Sequence, residues 1–208
     1  MEDLVMERIR VGVASGIVAV IVYSTFFFVD YAPWAAVLVA SVFGMALGAG
    51  CIGLREFLHV HRPTFTADLG GVFGVLAGLT VMQMLVVQVA LRNPPVITPG
   101  LTGDPEAFTR ALDRVHFGLD VTWDMLIGAA TLLFALAAAR HPRFGLLYAV
   151  PGVLIAVAMV AANVSTFPTP PAAAGSVDLG PLVGLWFMAS AIRAGTSLAW
   201  VRHCRETA

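Results

Sequence analysis

Four residues able to carry protons or hold a ligand fall at helical spacing in one stretch: Asp113, His116, Asp120 and Asp124, separated by three, four and four positions. At about 100° per residue they lie within about 80° of one another, on one face of a helix. Phe108, Leu112, Val115, Leu119 and Leu126 gather on the opposite face. Such a stripe can titrate, accept hydrogen bonds from a ligand or offer metal ligands. His116 and Asp120 stand four apart, the spacing that zinc-binding helices use. Asp124 is a further turn away and does not easily join the same ion, so no metal site is assigned.

A second constellation, Arg55-Glu56-Phe57-Leu58-His59-Val60-His61-Arg62, also holds metal-ligand spacing. Glu56 and His59 form the E-x-x-H pattern of carboxylate-bridged di-iron bundles, and Asp113 and His116 repeat it as D-x-x-H. The two pairs fall on opposite sides of the apolar segments described next, about 30 Å apart, and therefore share no site. The inner cluster reads as a charged turn at a membrane surface. No glycine-rich phosphate loop, H-E-x-x-H or G-x-S-x-G pattern is present. No catalytic residue and no cofactor are assigned.

The elements that must position these groups are apolar. Of 208 residues, 59% are hydrophobic and 12% charged, whereas a soluble domain carries roughly 25% charged residues. Mean hydropathy is +0.87. The net charge of −1 excludes a nucleic-acid partner, which requires a basic stripe. Cys51 and Cys204 both fall at the inner ends of the segments, where a disulfide is not expected. The first apolar run ends in STFFFVDYAPW, without a small-residue cleavage site, and reads as a retained span.

A membrane span needs about 20 mostly apolar residues. About six such segments are read, making the chain an all-α, polytopic transmembrane helical bundle with residues 1–208 as one domain. The spans are Ile9–Val29, Pro33–Leu54, Leu69–Leu91, Phe117–Ala139, Phe144–Asn163 and Val177–Ala199. With the N-terminus inside, Arg8, Arg10, Arg55, Arg62, Arg140, Arg143, Arg202 and Arg205 are cytoplasmic and Arg92, Arg110 and Arg114 are outside. This bias predicts an N-in, C-in protein of the plasma (inner) membrane. Gly44/Gly48, Gly70/Gly74/Gly78 and Gly180/Gly184 have the spacing by which helices approach closely in lipid.

The outer loop 92–116 reads as partly helical. RNPPVITPGLTG crosses the surface irregularly, then Asp104, Pro105 and Glu106 start a helix that continues into the fourth span. Asp120 then sits about one turn inside the bilayer and Asp124 about two, roughly 10 Å deep. A charged carboxylate there is costly without water or a partner. Gln83, Gln88 and Asn163 lie in the outer halves of other spans, with Asp30 and Asp178 at outer ends. Together with Trp123 they compose a candidate polar pocket: His116, Asp120, Trp123, Asp124, Gln83, Gln88 and Asn163. The alternative is a structural hydrogen-bond network that locks the bundle.

The stretch DRVHFGLDVTWDMLIGAATLLFALAAARHPRFG, followed by LGPLVGLWFMASAIR, resembles a broad group of six-span bacterial integral membrane proteins catalogued as a domain of unknown function. The likeness covers roughly residues 113–195. It implies membrane class and six spans and carries no activity.

Three functions compete. The first is a non-enzymatic scaffold, partner subunit or sensor. The second is a small proton-coupled transporter using an outward-facing acidic pocket on the fourth span. The third is a membrane enzyme acting on a lipid or quinone. The expected partners are membrane lipid and either a second copy of the chain or another membrane protein.

Overall fold

The structure is a computed structural model that describes residues 2–26, 28–92 and 105–206. Seven α-helices make up the fold, and no strand occurs among the described residues. They are α1 (Glu2–Thr25), α2 (Pro33–His61), α3 (Phe65–Arg92), α4 (Pro105–Ala138), α5 (Leu146–Thr166), α6 (Gly180–Thr196) and α7 (Leu198–Glu206). Prolines punctuate them: Pro33 begins α2, Pro63 follows it, Pro142 lies in the α4–α5 turn and Pro181 opens α6. A proline lacks the amide donor and suits a first turn or a break. Beyond Arg92, the expected loop crossing RNPPVITPGLTG, the Asp104 cap and the side chains of Glu106 and Phe108 lie outside the described residues.

Among the described residues, four helices are long and apolar enough to cross a membrane: α2, α3, α4 (from Thr109) and α5. They become five if α6 and α7, bent by 51° at Ser197, count as one span. Helix ends overrun several expected spans. Only Gly180–Thr196 of the segment expected at Val177–Ala199 is one straight helix, because the backbone turns at Ser197.

Helices α1 to α6 run antiparallel to their sequence neighbours, and α6 returns to α1. Gly12 faces Gly53 and Gly16 faces Gly50 across α1 and α2, while Tyr23 stacks on Phe43 farther along. Gly44 meets the backbone of Gly78, and Cys51 meets Gly74, across α2 and α3. Phe134 of α4 lies against Gly70 of α3. Asn163 of α5 bonds Asp124 of α4. Trp186 of α6 donates from Nε1 to the Tyr148 carbonyl of α5 at 2.9 Å. Gly195 of α6 packs on Val13 of α1, closing the ring. In lipid, expulsion of water does not drive helices together, so close contact must do so. Glycine permits it most where a side chain would strike backbone, as at Gly12, Gly53, Gly44 and Gly78. Gly184 departs from the expected pattern, since a Cβ there would meet nothing within 4 Å.

The outward faces are apolar. Leu38, Met45 and Ile52 of α2 recur every seven residues and are exposed, as are Leu147, Leu154 and Val164 of α5. Fully buried Phe57, Ile127, Val81 and Phe134 fill the interior.

The arginine-rich end is knit by polar contacts. Arg55 bridges Glu56 at 2.8 Å and Asp68 at 2.6 Å, and Arg8 of α1 approaches Glu56 at 3.5 Å. His59 turns toward Asp68 and the Thr64 carbonyl rather than joining Glu56 at a shared ion. Beside this network His141 is buried among Phe57, Phe144 and Trp200. Its Nδ1 accepts the Arg143 amide at 3.2 Å. Burial lowers its pKa from 6.5 to about 4; His61 and Arg143 add to the shift and the Phe57 backbone opposes it.

Gly53→Val drives a branched side chain into the α1 backbone and costs about 2 kcal/mol, whereas Gly184→Ala stabilises α6 by up to about 1 kcal/mol. Thermal unfolding in mild detergent reads both, and equal effects at the two positions would refute the close approach. His141 is neutral when folded and protonates more readily when unfolded, so its contribution is complete above pH 6.5 and is lost as pH falls through about 4. The unfolding midpoint of the wild type should drop across that window, and His141→Phe should flatten the drop.

Candidate functional site

The long α4 carries the acidic stripe as one continuous face from the end opposite the arginine-rich surface into the bundle. There the ends of α1, α3 and α5 and the α5–α6 connection stand off from α4 and leave a cavity of about 290 Å³. His116, Asp120, Trp123 and Asp124 form the α4 wall, Gln88 and Arg92 the α3 wall and Asn163 the α5 wall. Tyr23 and Phe26 of α1 and the segment Val177–Leu179 complete it. Asp178 fixes the start of α6 by accepting the Gly180 amide on Oδ1 at 2.8 Å. Its carboxyl also lies within electrostatic range of Asp120 and Asp124.

Six of the seven residues proposed for the pocket therefore line one cavity: His116, Asp120, Trp123, Asp124, Gln88 and Asn163. Gln83 is placed elsewhere. It is exposed on α3, since five residues put it about 140° around the helix from Gln88. Asp113 is also outside the lining, though close enough to His116 to act on it electrostatically. Asp30 lines a neighbouring cavity of about 310 Å³ that shares Phe26, Leu85, Gln88 and Arg92 with the first. Tyr23 and Arg92 were not among the residues singled out from sequence. A tyrosine near the end of an apolar span does carry a signal, because such rings collect where membrane meets water.

Asp124 is the deepest acid and is 7% exposed. Its Oδ2 accepts a 2.8 Å hydrogen bond from Asn163 Nδ2, which also donates to the Met159 carbonyl at 3.0 Å. An intramembrane carboxylate without such a donor or water costs about 3 kcal/mol. Asn163 itself is 1% exposed, and its Oδ1 acceptor has no protein partner. Trp123 is 7% exposed, and its Nε1 donor likewise has none. The Trp123 ring lies 6.3 Å from that of Tyr23, which stacks at 5.3 Å on Phe43 and so holds the aromatic side of the cavity.

The site thus joins three carboxyl groups, an open amide acceptor and an open indole donor to two further rings. It can bind a small polar guest, exchange protons with water or both. Among the described residues no group of three or more His, Cys, Asp or Glu side chains is arranged to hold a metal ion. Cys51 and Cys204 form no disulfide and do not line this cavity.

The chain matches no protein-family model, and no curated protein or solved structure matches it.

Interhelical hydrogen bonds in lipid are worth about 0.6 kcal/mol on average and up to roughly 1.7. Asn163→Leu, which removes the donor to Asp124, should lower stability by about 1 kcal/mol. Asp124→Asn keeps an acceptor oxygen and should cost less. Chemical unfolding in detergent micelles compares them; if Asn163→Leu matches wild type, the hydrogen bond does not hold α5 to α4.

Proposed function

We propose that this chain is a six-span, N-in, C-in protein of the plasma membrane that binds a small ligand in an outward-facing pocket and serves as a sensor or partner subunit. The observation that carries the proposal is the cavity itself. It brings Asp120, Asp124 and Asp178 together beside buried polar atoms that no protein group satisfies. A purely structural network closes its own hydrogen bonds, because an unmet buried donor or acceptor costs free energy. Here the Asp124–Asn163 pair locks two helices while one acceptor of the same amide remains free for a guest.

Six crossings are supported by register. Helix α1 lies antiparallel along the length of α2 from the Gly12–Gly53 contact to the Tyr23–Phe43 stack. If α2 crosses the bilayer, α1 crosses beside it. Helix α6 packs on α1 and α5 in the same way, with α7 turned aside as an end segment. The arginine bias then places the pocket outside. The membrane and the six-span group that the second half resembles are consistent with this arrangement and supply no activity.

Sensor or partner subunit is favoured over carrier by what lies beneath the pocket. Ile127, Ala130, Thr131 and Phe134 are fully buried or nearly so along the continuation of α4, and the Thr131 hydroxyl is occupied by the Ile127 carbonyl at 2.7 Å. A guest that reaches Asp124 meets a packed floor. A proton-coupled carrier is the second proposal, supported by water-sized access to two acids within the fourth span. A membrane enzyme would need a nucleophile or cofactor in addition to the acids of this cavity.

Impermeant thiol labelling tests the arrangement in intact cells, in a Cys51→Ala, Cys204→Ser background. Asp120→Cys and Ala173→Cys should react from outside, Glu206→Cys only after permeabilisation, and Ile127→Cys under neither condition. Labelling of Glu206→Cys before permeabilisation would invert the topology, and an unreactive Asp120→Cys would close the pocket. Proteoliposomes then separate the two functions, since a carrier moves solute or protons under a pH gradient and loses that flux in Asp124→Asn.

A further inference from the structure

The composition of the cavity also says what kind of guest it takes. Asp120, Asp124 and Asp178 stand close enough to repel one another, and none forms an ion pair among the described residues. Asp124 is buried, Asp120 half-buried and Asp178 exposed, and carboxylates gathered so closely are eased by a cation among them. The arrangement does not suit a bare metal ion, for among the described residues no three ligand side chains are grouped to hold one. It does suit a cation that donates directed hydrogen bonds and has a soft, weakly hydrated surface. Asn163, on the α5 wall of the cavity, carries in Oδ1 a buried acceptor with no protein partner. Tyr23, Phe26 and Trp123 present rings to the same space, and ring faces attract ammonium groups. The volume of about 290 Å³ stands at the low end of small-molecule sites, which begin near roughly 300 Å³.

We propose that the pocket binds a small organic ammonium, with its N–H or N–CH groups directed to Asp124, Asp120 and the Asn163 carbonyl oxygen and its body against Tyr23 and Trp123. This inference rests on the outward-facing pocket proposed above. The unsatisfied Trp123 N–H adds one requirement, an acceptor such as a hydroxyl on the ligand, which makes an amino alcohol a better fit than a simple alkylammonium. The same ammonium chemistry is offered by a free amine in the medium and by the headgroup of phosphatidylethanolamine at the outer leaflet.

The test uses the full chain in detergent and in nanodiscs. Calorimetric titration with ethanolamine, ethylammonium and tetramethylammonium is compared with ethylene glycol, which is neutral, and glycolate, which is anionic. Saturable binding of the ammonium ions, tightest for ethanolamine, is expected, with at least a tenfold loss in Asp124→Asn and in Asp120→Asn. Glu206→Gln, at the far end, should titrate like wild type. Thermal unfolding without ligand accompanies each variant to separate lost binding from altered folding, and Asn163→Leu provides a second change, at the acceptor. Nanodiscs of phosphatidylglycerol alone and with phosphatidylethanolamine separate the sources. Ethanolamine binding suppressed by the second lipid identifies a headgroup, and unchanged binding identifies a free amine. Binding of ethylene glycol or glycolate in preference to every ammonium overturns the ligand class while leaving the pocket. The absence of any binding while Asp124→Cys is labelled from outside overturns the class as well. An Asp124→Cys that cannot be labelled removes the pocket and the ligand with it.

Discussion

Helices surrounded by lipid do not gain by hiding apolar surface from water, because the solvent is as apolar as they are. What holds this bundle together is contact at short range, and the residues that permit it are the glycines of α1, α2 and α3. At Gly12 and Gly53, and again at Gly44 and Gly78, backbone stands where a side chain would otherwise be. These approaches set the distance and tilt of the first three helices. Phe134 then fits over Gly70, placing α4 against α3. The position of every later element depends on that sequence of close contacts.

Tight packing is not uniform along the bundle. Toward the arginine-rich end the helices are bound by ions and rings: Arg55 between Glu56 and Asp68, and His141 inside an aromatic cage. Arg193 reaches the Arg143 carbonyl at 2.7 Å, and Arg143 reaches Ser197 at 3.3 Å, tying the α4–α5 turn to the end of α6. At the opposite end the helices diverge, and there Asn163 of α5 bonds Asp124 of α4. A stiff base and a loosely gathered mouth are what allow a cavity to exist in a chain of this size.

Much of this was legible in the residues. The apolar runs announced an all-helical membrane bundle, and a repeat of three or four residues placed Asp120 and Asp124 on one face of α4. Asn163 stood out as an amide at a matching depth. Gln83 looked equivalent to Gln88 by depth alone, but depth and facing are separate coordinates, and a five-residue offset turns one glutamine outward. Gly184 looked like a partner of Gly180, yet spacing describes a helix face without saying whether a neighbour lies against it. Tyr23 and Arg92 were beyond reach for another reason. Their presence beside α4 depends on the ring of helices closing, which no local pattern encodes. The bend at Ser197 was hidden in the same way within an apolar run.

The hydrogen bond between Asp124 and Asn163 joins residues 39 positions apart, and that separation has a meaning for biosynthesis. A chain emerging from its N-terminus delivers α4 to the membrane before the amide that will accompany its carboxyl has been made. Asp124 must wait near the aqueous mouth, or remain solvated there, until α5 arrives. The Tyr23 side of the cavity is set early, whereas Asp178 comes only with the approach to α6. The site is therefore completed only with the approach to α6, although the helix that carries most of it is inserted midway.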